Sequence, residues 1–220
     1  MKKLGLLLFP LLAITLMLGG NAFAVNEGGD PSVYFVTYFS NAHTTGAPDA
    51  TVRIINDGGQ PTTLPVISSD LILNRNLWAD IFVFDDSQEL QECCSCEVTA
   101  DGLLSESVNQ NLTANTLTGR VPTRGVIKVI SDGIGIEVDD TLDPSPGLRA
   151  WATHIQATSV TFAAGKAPAE KSPFYVTETE FADSNLNEAE LERLDNLCSF
   201  AITLGSGSGV CSCNYEDYEF

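Results

Sequence analysis

Cations and histidines are scarce in this chain. Its 220 residues include 11 lysines and arginines against 29 aspartates and glutamates, a formal net charge of −18. Two of the eleven, Lys2 and Lys3, stand at the N-terminus; without them the balance is 9 against 29, a net of −20. A field of that sign excludes nucleic acid and anionic lipid headgroups as partners bound through overall charge. Only His43 and His154 are present, and neither lies near a cysteine. His154 stands in the apolar stretch AWATHIQA, near Trp151 and Ile155, with no nucleophile to serve, and reads as a packed or hydrogen-bonded side chain.

Long apolar runs are as few. One exists, Leu4 to Leu18, broken by Pro10, preceded by Lys2 and Lys3 and followed by Ala22-Phe23-Ala24. That order makes residues 1–24 a secretory signal peptide. No cysteine follows the cleavage point, so no lipid is attached there. No second run approaches the ~18 apolar residues of a spanning helix, so no membrane span is expected after cleavage. The mature chain, Val25 to Phe220, is expected to be secreted, periplasmic or extracellular. A nucleophile motif is missing too: Gly205 to Gly209 has Gly207 where an elbow needs serine, and it follows a helical pattern rather than a strand. The expectation is a protein that is not an enzyme.

Six cysteines are present, in two trios: Cys93, Cys94 and Cys96, then Cys198, Cys211 and Cys213. On an extended chain Cys93 and Cys94 face apart while Cys94 and Cys96 share a face. A bridge between adjacent residues needs a strained ring, so partners for the front trio are expected in the back trio. Six cysteines allow 15 full pairings, and the sequence does not choose among them. Thiolates at this spacing also suit zinc, copper(I) or iron–sulfur clusters. Export decides for disulfides, which persist in an oxidising compartment.

The acidic excess raises calcium as a possible cofactor. Asp139, Asp140 and Asp143 are weak candidate ligands that do not follow EF-hand spacing. Asp85, Asp86, Glu89 and Glu92 form a second group. Solvated acidic loops are the default for both, so no cofactor is expected.

Strands are expected at Val33–Phe39, Thr51–Asn56 and Ala79–Asp85, the last running into the first cysteine trio just beyond its end. Thr63–Ser68, with Pro65, suits an edge strand. Val108–Thr118 reads as loop or irregular strand. Gly125–Ser131 and Ile134–Val138 flank Asp132-Gly133 as a hairpin. Leu148–Phe162 makes one long strand or two, Ala163–Ser172 a flexible connection, and Phe174–Phe181 the last strand. The period then becomes helical. Asn187 is the N-cap and Glu190 completes a capping box, with Leu186 and Leu191 as a hydrophobic staple. Leu191, Leu194, Leu197, Cys198, Ala201 and Ile202 form one stripe, and Gly205 ends the helix. The fold class is mainly β: a disulfide-stapled β-sandwich-like domain over 25–183, with 184–220 adding a C-terminal helix and cysteine tail to the same domain. The immunoglobulin cysteine–tryptophan spacing is absent.

The segments ECCSC (92–96), GVIKVIS (125–131), LRAWATHIQ (148–156), TETEF (177–181) and LGSGSGVCSC (204–213) resemble an uncharacterised family of exported bacterial proteins with CCxC and CxC clusters. The resemblance implies export and the two-cluster design, and carries no catalytic residue. Three functional readings follow. The first is a non-enzymatic structural or interaction protein of the cell exterior, acting in the envelope, in adhesion or in an extracellular assembly, with itself or another cell-surface component as partner. The second is a thiol-based metal or redox protein using the cysteine clusters. The third is a filament subunit in which Val33–Phe39 pairs with a neighbouring molecule.

Overall fold

The computed structural model describes residues 33–59, 76–133, 142–158 and 173–213. The signal segment 1–24, the edge strand at 63–68, the hairpin's second strand at 134–138, the 163–172 connection and the tail from 215 onward lie outside the described residues.

The strongest β signal is LWADIFVFD, strand β3 (Leu77–Asp85) after β1 (Tyr34–Ser40) and β2 (Thr51–Asn56). Alternation sends Ala79, Ile81 and Val83 to one face and Phe82 and Phe84 to the other, and all five are buried. A strand apolar on both sides needs cover on both sides, and the rest of the chain supplies it. β3 lies inside a five-stranded antiparallel sheet with β4 (Leu90–Val98), β6 (Arg124–Asp132), β1 and the two-residue β9 (Ala182–Asp183), in the order β4-β3-β6-β1-β9. Ala79 stands opposite Cys96, and Trp78 opposite Asp132. Between Val83 and Phe84 the register slips: Val83 faces Glu92 and Phe84 faces Leu90, leaving Gln91 as the bulged residue. Gly125 lets β6 pass its neighbours, because a Cβ there would stand 1.9 Å from the Phe84 carbonyl oxygen.

Strand β5 (Leu103–Ser107), β2, β7 (Leu148–Ala157) and β8 (Phe174–Glu180) form the second sheet, in the order β5-β2-β7-β8. Its inward side chains, among them Ile54, Leu104, Leu148, Ala150 and Ile155, close a core against Phe39, Ile81, Val83, Ile127 and Val129 of the first sheet. The fold is therefore mainly β, two antiparallel sheets with one C-terminal helix. The sequence pattern assigns no element to 103–107, where only Leu104 and Glu106 turn inward. The expected strand from Leu148 ends at Ala157.

Helix α1 (Glu188–Thr203) covers the outer face of the five-stranded sheet. Leu194, Cys198 and Ala201 are buried in a second cluster with Phe82, Phe84, Leu90, Cys93 and Ile130; Leu191, Leu197 and Ile202 pack at its margin. The Asn187 side chain accepts a hydrogen bond from the Glu190 N–H at 2.9 Å, as a cap should. The reciprocal half of the expected capping box is not made. The Glu190 carboxylate instead meets Lys128 Nζ at 2.5 Å and Arg193 Nε and Nη2 at 2.9 Å, and accepts from the Tyr34 hydroxyl at 3.1 Å. Two cations outbid one backbone N–H for a carboxylate.

The Arg193 hydrogen bonds, followed by Lys128, hold the Glu190 carboxyl down at about 2, against the opposing effect of burial. Its contribution to stability is thus present above the unfolded value of 4.5 and is lost as pH falls through about 2. Glu190→Gln should cost about 1–2 kcal/mol at pH 7 after allowance for solvent screening. Urea unfolding of both proteins should show the gap narrowing as pH drops toward 2; a gap independent of pH would contradict this assignment.

Candidate functional site: the cysteine ladder of an edge strand

The first trio follows β3 just beyond its end, as expected, and lies in a strand of its own, β4, which the sequence pattern does not assign. QECCSC lacks the β-branched residues that mark a strand, yet all of it but the bulged Gln91 pairs with β3. β4 is an edge strand, and the tail after α1 lies along its outer side. Cys93 donates its N–H to the Gly209 carbonyl at 2.9 Å, and Cys211 donates to the Cys93 carbonyl at 3.1 Å, forming a short parallel bridge at Val210. A loose polar tail thereby covers part of an open sheet edge.

Alternation along β4 then settles the connectivity. Cys93 points to the outer face and joins Cys198 of α1; Cys94 and Cys96 point inward and join Cys211 and Cys213 of the tail. The Cα–Cα distances are 5.8, 5.2 and 5.5 Å, within the span a disulfide bridges. No free cysteine remains. The two inward bridges are neighbours: Cys94 Sγ and Cys96 Sγ are 3.8 Å apart, and with Cys213 Sγ they lie within 4.8 Å of one another. Cys213 is half-buried while the other five cysteines are buried.

Polar residues of the 108–118 stretch, whose sequence suits a loop or irregular strand, fasten this tail. Val108–Leu112 is a single π-helical turn, capped by the Ser107 hydroxyl accepting from the Gln110 N–H. Asn111 donates from Nδ2 to the Ser212 hydroxyl at 3.2 Å and accepts from the Ser212 N–H at 3.3 Å. Asn115 donates from Nδ2 to the Gly207 and Val210 carbonyls, at 2.6 and 3.0 Å, and its own carbonyl accepts from the Gly209 N–H. Gly209 has φ +85°, and a Cβ there would stand 2.9 Å from Leu117 Cβ; the Gly205–Gly209 run is a fitted connector. In the sequence the only sign of this role is an asparagine-rich stretch, Asn109 to Asn115, between the two cysteine trios.

Glu92, next to the trio, is fully buried. One carboxylate oxygen accepts the Asn115 N–H at 2.6 Å; the other, Oε2, has no hydrogen-bond partner among the described residues. Burial pushes this carboxyl up to about 7, against the pull of the Asn115 N–H. The rest of the second acidic group does different work. Asp85 accepts from the N–H groups of Ser87 and Glu89 and from Gln91 Nε2, shaping the β3–β4 turn. Asp86 pairs with Arg124 at 2.8 Å. Of the first group, Asp139 and Asp140 lie outside the described residues, and Asp143 donates its N–H to Asp132 Oδ2.

The histidines are apart from the sulfur. His154 is buried, its Nε2 2.7 Å from the Thr179 hydroxyl and its ring stacked on Tyr38 at 4.2 Å; burial lowers its pKa. His43 Nε2 is 2.7 Å from the Thr113 hydroxyl. Three bridges fit a location outside the reducing cytoplasm. Among the described residues no helix is long and apolar enough to cross a membrane. No protein-family model, no curated protein and no solved structure matches this chain, so what the ladder does must be read from its own geometry.

Proposed function

We propose that this is an exported, non-enzymatic structural or interaction protein of the bacterial cell exterior, a clamped β-sandwich that holds its shape where no chaperone maintains it. One observation carries the reading: every cysteine is spent on cross-links that tie a single edge strand to the final helix and tail. The signal-peptide pattern of residues 1–24 and the acidic surface charge support it. The test is a water-soluble carbodiimide applied to intact producing cells, since carboxylates far outnumber lysines. The expected result is a mature chain beginning at Val25, thiol-free, coupled to a cell-surface component or to a second copy. A thiol-bearing chain retained inside the cell, or an exported chain with no adducts, would overturn it.

The filament reading keeps one specific support. On its side away from β6, β1 pairs only with β9, at Phe35 and Val36. Thr37 to Ser40 therefore have no strand ladder on that side among the described residues, although β7 flanks them through His154, stacked on Tyr38, and the Ile155 carbonyl, which accepts from the Ser40 hydroxyl at 2.7 Å; Tyr38 is 48% exposed. Electron microscopy of the exported fraction checks this: filaments favour strand addition, and a monodisperse monomer in sedimentation removes it.

A further inference from the structure

We propose that the four sulfurs of the two inward bridges, Cys94, Cys96, Cys211 and Cys213, form a zinc site when reduced. Tetrahedral zinc with thiolate bonds of about 2.3 Å sets its ligand sulfurs about 3.8 Å apart. Cys94 and Cys96 already stand at 3.8 Å. Cys213 is within 4.8 Å of both; Cys211, the bonded partner of Cys94, lies outside that group of three and turns in to complete it. Converting each bridge into a ligand pair separates its sulfurs by about 2 Å beyond the generic bond length, a shift that side-chain rotation supplies.

In the folded chain the backbone, and not the bridges alone, places the ligand residues, so zinc binding and folding of the reduced chain are coupled. Cys94 and Cys96 sit on a strand paired along its length with β3. Cys211 donates to the Cys93 carbonyl, and the intervening Ser212 is held by Asn111. Cys94, Cys96 and Cys211 are buried, so the site is a closed four-thiolate centre of the structural kind, with no open position for catalysis. Cys93 and Cys198 face the opposite side of the sheet and take no part.

The chemistry balances as follows. Two equivalents of a dithiol reductant deliver four electrons and four protons to the two bridges, giving four thiols and two oxidised reductant molecules. Zinc then displaces the four protons. A disulfide oxidant removes the four electrons again, re-forms both bridges and releases the metal. The same tail is held to the same strand in either state, by sulfur–sulfur bonds or by zinc.

The experiment uses the full mature chain, reduced without oxygen and titrated with zinc against a chromophoric chelator, then with cobalt(II). One zinc per chain is expected, with the thiolate charge-transfer and tetrahedral ligand-field bands of cobalt. The Cys93→Ala/Cys198→Ala variant should bind as the parent does. Cys213→Ser should bind at least about tenfold more weakly, since even outer-shell changes cost 10–100-fold. Urea should weaken binding by a similar factor, because the ligands are placed by the fold. Absence of zinc binding, equal affinity in Cys213→Ser, or affinity indifferent to urea would each overturn the proposal.

Discussion

Opening all three cross-links in metal-free buffer should unfold this protein. In the chain-entropy description the first bridge, Cys94–Cys211, closes a separation of 117 residues and contributes about 5 kcal/mol. With it in place, the shortest covalent path from Cys93 to Cys198 runs one residue to Cys94, across that bridge and thirteen residues back. A ring of about fifteen residues is worth about 3 kcal/mol. Cys96–Cys213 then closes a ring of only about six residues and adds about 2 kcal/mol. Together they rival the ~5–15 kcal/mol that holds a typical domain folded. The single double variants should therefore rank: Cys93→Ala/Cys198→Ala loses about 3 kcal/mol and Cys96→Ala/Cys213→Ala about 2. Urea midpoints with and without reductant, beside an intact mass that rises by about six hydrogens, check both the magnitude and the count. An unchanged midpoint after full reduction would show that the cores alone carry the fold.

Glu92 should make the protein less stable as pH rises, the reverse of what a paired carboxylate does. Its folded pKa, about 7, lies above the ordinary 4.5. Between those values the folded chain keeps a proton that the unfolded chain releases, so stability falls across that window and levels off above it. The shift corresponds to a loss of about 3 kcal/mol. Glu92→Gln keeps the acceptor for the Asn115 N–H and removes the charge. It should stabilise the protein by up to that amount at pH 8 and flatten the profile between pH 4.5 and 7. Denaturant unfolding at pH 5 and pH 8 decides it: a variant with the parent's slope would mean that Glu92 is not the titrating group.

The two predicted effects meet at the tail, and what could be read of that region from the sequence is uneven for physical reasons. β2 and the pairing of the front trio with the back trio were legible, because alternation is a property of any extended chain and does not depend on neighbours. The helix was legible for the same reason: Leu194, Cys198 and Ala201 keep a 3.6-residue period whatever they pack on. β4 was not, since Gln91, Glu92 and four residues with little strand preference are held extended by β3 and by sulfur. The short β5 was hidden because its exposed positions carry no pattern. Glu190 satisfied the capping-box spacing yet turned to Lys128 and Arg193, and Lys128 is 62 residues away in sequence. Asn111 and Asn115 escaped because their partners, Ser212 and the Gly207–Val210 backbone, are about a hundred residues distant.

The order of the cysteines along the chain also sets an order in time. A polypeptide delivered N-terminus first presents Cys93, Cys94 and Cys96 about a hundred residues before the first of their partners arrives. During that interval the only sulfurs within reach are one another, and Cys94 and Cys96, on one face of the strand, are the pair that an early oxidant would join. Such a bond blocks both inward cross-links until a thiol exchanges it. The delay between the appearance of one strand and the arrival of its tail is thus expected to limit correct pairing. The yield of correctly joined molecules should rise when oxidation is postponed until the whole tail has been delivered.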